Sequence, residues 1–139
     1  MPALELAQSL IKIKSISPKD EGCFDLIEAE LDPLGFEMER IPELNSETLL
    51  AKFGNTGKVF CYLGHTDVVP SGPEEEWTSH PFEANIIDGE LIGRGAADMK
   101  GSVAVFIQSV KEFLADHPNP NFQIWVMLSS NEEGEPTDG

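Results

Sequence analysis

The chain has little positive charge. Nine Lys and Arg stand against 25 Asp and Glu, a formal net charge of −16 over 139 residues. Such a surface repels nucleic-acid phosphates, so a DNA- or RNA-binding role is disfavoured. Long apolar runs are missing: no stretch approaches the ~20 residues a membrane-spanning helix needs. The opening Met1-Pro2-Ala3-Leu4-Glu5 lacks the basic start and apolar stretch of a secretory signal. Cysteine is scarce, and Cys23 and Cys61 are expected to be free thiols in a reducing compartment, with cytoplasmic location. There is no internal repeat and no low-complexity tract, and the short Glu74-Glu75-Glu76 cluster reads as a solvated loop. Apolar residues are not lacking. At 40% of the chain they suffice for a packed core, so the acidity does not signal disorder. The length fits one domain or part of one.

Periodicity gives the elements. Leu4, Ala7, Leu10 and Ile11 have helical spacing within 3–14, and Phe24, Ile27 and Leu31 within 21–32, where Pro33 and Gly35 end the pattern. Segments 36–41 and 47–53 read as strands. Val59-Phe60-Cys61-Tyr62-Leu63 is apolar at every position, which predicts a strand covered on both faces. Residues 70–82 read as a loop. Asp88-Gly89 joins Asn85–Ile87 to Glu90–Ile92 as a hairpin. A helix over 102–115 presents Val103, Phe106, Ile107, Val110 and Leu114 inward, with Ser102 as its cap and Pro118 barring continuation. Phe122 to Leu128 reads as a buried strand. Together these predict an α/β domain, a mixed β-sheet flanked by helices.

Three polar constellations follow apolar elements: Gly64-His65-Thr66-Asp67, Gly93-Arg94-Gly95-Ala96-Ala97-Asp98-Met99-Lys100-Gly101, and Ser129-Ser130-Asn131-Glu132-Glu133-Gly134. In α/β sheets the crevice beyond the carboxyl ends of strands is the usual site position. Imidazole and carboxylates converging there suggest a metal centre. His65 and Asp67 are two apart, so they share a side of an extended segment, and Asp67 is placed to orient the imidazole. Asp98 sits among small residues and, with two oxygens, can bridge two metals. A phosphate-loop reading of Gly93-x-Gly95 fails because the third glycine position is Asp98, whose charge would repel phosphate. The adjacent Glu132 and Glu133 suit two roles, a metal ligand and a general base. His80 and His117 are expected to be structural or exposed, Arg94 to anchor its loop, Trp77 to pack a loop and Trp125 to lie in the core.

Gly64-His65-Thr66-Asp67-Val68-Val69-Pro70, the Gly93–Gly101 stretch and Asn131-Glu132-Glu133-Gly134 resemble the dinuclear zinc aminoacylase/carboxypeptidase family along the whole chain. The resemblance implies a zinc-peptidase-like catalytic domain that hydrolyses a linear amide of a small-molecule substrate with two Zn2+, Co2+ being a possible substitute. It implies His65 on one zinc, Asp98 bridging both, Glu133 on the second, Asp67 orienting His65 and Glu132 as general base and proton shuttle. It also implies a cis peptide at Asp98-Met99. Family members continue well past this length and supply a further carboxylate ligand, a late histidine ligand and a dimerisation domain. Residues 1–139 are therefore expected to be the amino-terminal portion of the catalytic domain. They would lack the remaining catalytic segment and the domain that makes the complete enzyme a homodimer. Here each zinc would have two protein ligands where catalytic zinc normally has three, so the chain alone is expected to bind metal weakly, to be inactive and to leave sheet edge and apolar surface uncovered. A truncated, non-catalytic module is the alternative from another class.

Overall fold

A computed structural model describes residues 1–135; the last four residues of the expected 1–139 unit lie outside the described residues. Helix α1 spans Ala3–Lys12 and α2 spans Cys23–Leu31, followed by a single 3-10 turn at Asp32–Leu34. Strands β1 (Glu37–Pro42), β2 (Glu47–Phe53) and β3 (Val59–His65) come next. A short hairpin of β4 (Asn85–Ile87) and β5 (Glu90–Ile92) precedes the long helix α3 (Lys100–Asp116) and strand β6 (Gln123–Ser129). The main sheet has the order β1-β2-β6-β3. β1 and β2 pair antiparallel, β2 and β6 antiparallel, and β3 and β6 parallel. This is the expected mixed α/β sheet.

The core lies between one face of that sheet and the three helices. Ile124, Val126 and Leu128 of β6 and Leu49 and Ala51 of β2 meet Leu6 and Leu10 of α1, Phe24, Ile27 and Leu31 of α2, and Val103, Ile107, Val110 and Leu114 of α3. Each fully buried Leu, Ile or Phe is worth roughly 1.5–3 kcal/mol of apolar transfer. In α1 the buried stripe is Leu6, Ala7, Leu10 and Ile11, while Leu4 is exposed. The helix is turned so that positions three and four apart from 6 onward face inward, which displaces Leu4.

Three sequence expectations are corrected. β3 is not covered on both faces: Val59, Phe60 and Leu63 are 46%, 56% and 70% exposed. It is an edge strand of the described sheet, paired only with β6. Only its α3 side is screened, where Tyr62 and Phe60 stack on Phe106 with ring centroids 4.1 and 6.3 Å away. Composition alone reports what a strand could bury, not which neighbours it has. Trp125 is not in the core. It alternates with Ile124 and Val126 and so points to the opposite face, under the Lys52 ammonium at 5.0 Å. Ser102 does not cap α3, which starts two residues earlier at Lys100; its Oγ pairs instead with the Tyr62 hydroxyl at 2.8 Å.

Both cysteines are free, Cys23 buried and Cys61 exposed. No helix among the described residues is long and apolar enough to cross a membrane.

Candidate metal centre

The parallel pairing of β3 and β6 places His65, the last residue of one, beside Ser129, the last of the other. The first and third constellations therefore leave the sheet at the same end, and the Thr66 N–H donates to the Ser129 carbonyl at 3.0 Å. The Ile16–Val68 bridge lays the segment after α1 alongside.

Asp67 holds this end together. Its side chain is fully buried. Oδ1 accepts the Glu132 N–H and Oδ2 the Glu133 N–H, both at 3.0 Å, and Oδ2 also accepts the Ser17 hydroxyl. The His65 Nδ1 lies 3.0 Å from the Asp67 backbone carbonyl and 3.4 Å from its Oδ1. Of the two Asp67 oxygens beside the imidazole, the backbone carbonyl is the nearer. Burial works to raise the Asp67 carboxyl, but His65, Ser17 and the two backbone N–H groups outweigh it and hold it down at about 2. Burial likewise works against a charged His65, yet hydrogen bonds to Asp67 and the charges of Asp67 and Glu132 push it up to about 9.

With Nδ1 engaged, Nε2 faces outward. It lies 3.1 Å from Asp98 Oδ1 and 3.6 Å from Glu132 Oε2. Asp98 is well exposed and rides on the loop between β5 and α3. The Asp98-Met99 peptide is cis, as is Ser17-Pro18. Met99 tucks under His65, its sulfur 3.4 Å from the His65 N–H. Gly64 makes this possible, because a Cβ there would sit 2.9 Å from the Met99 methyl.

The donor set fits a cation. His65, Glu132 and Glu133 each offer a ligand atom within 4.8 Å of the others. Two ligands at ~2.1 Å on one tetrahedral zinc lie about 3.4 Å apart, a spacing that the 3.1 and 3.6 Å contacts of His65 Nε2 bracket. Burial and the charges of Asp98, Glu132 and Asp67 push the Glu133 carboxyl up, so the site holds negative charge that a cation would relieve. The structure brings all five expected residues, His65, Asp67, Asp98, Glu132 and Glu133, to one place. Glu132, expected to be the base, stands as near the imidazole and Glu133 as a ligand would. Two cavities flank the cluster. One of about 600 Å³ is lined by Leu63, His65, Asp98, Met99, Met127 and Glu132. The other, of about 750 Å³, is lined by Ser17, Lys19, Val69, Pro70 and Glu133 among others.

Sequence reasoning missed Ser17 and the packing role of Met99. Ser17 lies 50 positions from Asp67, and nothing local flags it. The bystanders behave as expected. Arg94 donates to the Pro70 carbonyl at 3.4 Å and stacks over Trp77, whose indole N–H reaches the Ser71 carbonyl at 3.0 Å. His80 lies 3.1 Å from Glu74, in a 3-10 turn at Glu74–Glu76, and accepts the Phe82 N–H. His117 ends α3 and packs on Phe113.

Residues 61–139 match the sequence profile of peptidase family M20/M25/M40. The chain is 49% identical over 138 residues to a succinyl-diaminopimelate desuccinylase of Marinobacter nauticus, covering 99% of this chain and 37% of that protein. A succinyl-diaminopimelate desuccinylase of Methylobacillus flagellatus is 46% identical over 136 residues, covering 98% and 36%. Human carnosine dipeptidase 1 superposes with a TM-score of 0.82 at 25% identity, over 97% of this chain and 33% of its own. An M20 family metallo-carboxypeptidase of Sulfolobus solfataricus does so with a TM-score of 0.77 at 26% identity, over 91% and 30%. The chain thus spans little more than a third of the length of the curated relatives it matches.

Proposed function

The chain belongs to peptidase family M20/M25/M40, and from that premise we propose that it is the amino-terminal, metal-holding portion of a desuccinylase catalytic domain. The reaction of the whole enzyme is hydrolysis of N-succinyl-L,L-diaminopimelate to succinate and L,L-diaminopimelate, in the biosynthesis of lysine and cell-wall precursor. The identity to named desuccinylases supports the substrate. The observation that carries the chemistry is the His65 Nε2, fixed by Asp67 at Nδ1 and facing Asp98 and Glu132. Cytoplasmic location accords with the two free thiols.

His65, Asp98 and Glu133 would hold two zinc ions, Asp98 between them, with cobalt as a substitute. Such ions, when bound, polarise an amide carbonyl and acidify water. The protein's own part begins with Asp67, which fixes the imidazole tautomer through Nδ1 and so presents Nε2. Asp67 also fixes the backbone of Glu132 and Glu133, aiming two adjacent carboxylates differently. Glu132 accepts the proton of the attacking water at its carboxylate and passes it to the leaving amide nitrogen. The uncovered face of β3 is where the remainder of the catalytic domain would pack, and homodimerisation of the complete enzyme would use a domain outside this chain.

Zinc titration into the 139-residue chain by calorimetry, beside H65A and E133A, tests the metal site. Weak binding is expected from the unsubstituted chain and none from the variants. Indifference to both substitutions overturns the site. An assay with N-succinyl-L,L-diaminopimelate, N-acetyl-L-ornithine and a dipeptide tests the reaction, with and without a polypeptide covering the remaining length of the relatives. Turnover of the succinyl substrate is expected only with the added polypeptide. Turnover by the chain alone overturns its being a portion, and preference for another substrate overturns the specificity.

A further inference from the structure

Lys100 is fully buried at the first residue of α3. A buried ammonium is costly, and an apolar side chain of similar volume fills such a space more cheaply. Its partners say what it does. Nζ donates to the Leu10 carbonyl at 2.8 Å and the Ile13 carbonyl at 2.7 Å. These carbonyls lie where α1 runs out into the following segment, and each already accepts a backbone N–H, Leu10 from Ile13 at 3.1 Å and Ile13 from Ser15 at 2.9 Å, so the ammonium is a second donor to both.

Both ends of the residue meet the metal centre through intermediaries. At its backbone, the Lys100 N–H donates to the Gly95 carbonyl at 2.9 Å, which closes the loop that carries Asp98. That closure is tight: a Cβ on Gly101 would sit 2.2 Å from the Ala96 carbonyl oxygen. At its side chain, Ile13 leads directly into 15–17. The Ser15 hydroxyl donates to the Thr66 carbonyl at 2.7 Å, the Val68 N–H to the Ser15 carbonyl at 2.9 Å, and the Ser17 N–H to the Val68 carbonyl at 3.1 Å. The Ser17 hydroxyl then reaches Asp67 itself. One side chain therefore spans from the Asp98 loop to the segment that brackets Asp67.

We propose that Lys100 is a positioning residue of the metal centre, setting the placement of Asp98 relative to His65 and Asp67 through the carbonyls that end α1. It touches neither metal ligand nor substrate. The proposal rests on the metal-centre reading above.

The test compares the unsubstituted chain with K100M, K100R and L114A, the last a core truncation in α3 remote from the site. Two readouts are taken: Co2+ affinity from the visible absorption of the bound ion, and amide resonances of residues 65 and 96–99 in the metal-free chain. K100M is expected to weaken Co2+ binding tenfold or more and to shift or broaden those amides; K100R has a smaller effect in the same direction. L114A, though destabilised, is expected to leave Co2+ affinity within twofold and those amides unchanged. A folded K100M with Co2+ affinity within twofold of the unsubstituted chain and unchanged amides overturns the proposal. If K100M does not fold, K100R decides by the same comparison, with unsubstituted behaviour overturning it. If the unsubstituted chain takes no Co2+, the metal reading fails, while the metal-free amides still decide the role of Lys100.

Discussion

The carboxylate of Asp67 accepts the backbone N–H of Glu132 at 3.0 Å, across 65 positions of sequence. The bond welds the exit of β3 to the exit of β6, so the imidazole of one motif and the carboxylates of another share one anchor. Asp67→Ala would leave the Glu132 and Glu133 N–H donors without their acceptor, release Ser17 and strip His65 of its carboxylate partner. Removing one partner of a buried charged pair costs roughly 3–5 kcal/mol, and D67A is expected to lose stability on that scale. Asp67→Asn keeps the shape and one acceptor oxygen, and about 1–3 kcal/mol is expected. Urea unfolding of the metal-free variants measures both, and an Asp67→Ala midpoint equal to that of the unsubstituted chain would contradict the anchor.

The same pair sets a pH window for the metal-free chain. The Asp67 carboxyl is depressed from 3.8 to about 2. Its contribution is therefore complete above the unfolded value and is lost as pH falls through about 2. The His65 imidazole is raised from 6.5 to about 9. Its contribution is complete below 6.5 and is lost as pH rises through about 9. Urea midpoints measured from pH 2 to 10 should show a plateau between the two losses, with D67N flattening both limbs. Because a ligating imidazole must be neutral, Co2+ affinity should rise between pH 6.5 and 9. A flat affinity over that range would contradict the raised imidazole.

How far the sequence carried can be read from these residues. The convergence of His65, Asp98, Glu132 and Glu133 was legible, because each follows an apolar element and α/β sheets gather strand exits at one edge. The hairpin at Asp88-Gly89 and the stripe of α3 were legible because their signals are local. Ser17 was not, since its partner is 50 positions away and a serine before proline reads only as a turn. Lys100 was not, since a lysine at a helix start reads as solvated until its burial is seen. The exposure of β3 was misread because an all-apolar strand records what it can bury, while edge or centre is decided by pairings with distant strands.

Gly101 offers a steric test of the Asp98 loop. A Cβ there would lie 2.2 Å from the Ala96 carbonyl oxygen, a backbone atom that cannot swing aside. G101A should therefore move the loop or lose roughly 1–3 kcal/mol, the range of overpacking. G72A is the control, since nothing lies within 4 Å of a Cβ there, although its positive φ imposes some strain of its own. Amide spectra separate the two variants: G101A should perturb residues 95–99, and G72A only its own loop. Equal, purely local perturbation would contradict the tight closure.

The open face of β3 makes a prediction about behaviour in solution. Val59 lies at the start of the edge strand, 46% exposed and remote from the metal centre at its other end. An exposed apolar edge recruits other strands, and a lysine on it discourages that pairing by charge. V59K buries nothing new and removes little buried area, so unfolding free energy should change by no more than about 0.5 kcal/mol. Association should fall, seen as less light scattering at high concentration and a smaller dependence of elution volume on loading. I124K, in contrast, places a charge in the core and should unfold the chain, because Ile124 is 3% exposed on the helix-covered face. If V59K destabilised the chain as I124K does, the face would be packed after all, and the edge position of β3 would have to be abandoned.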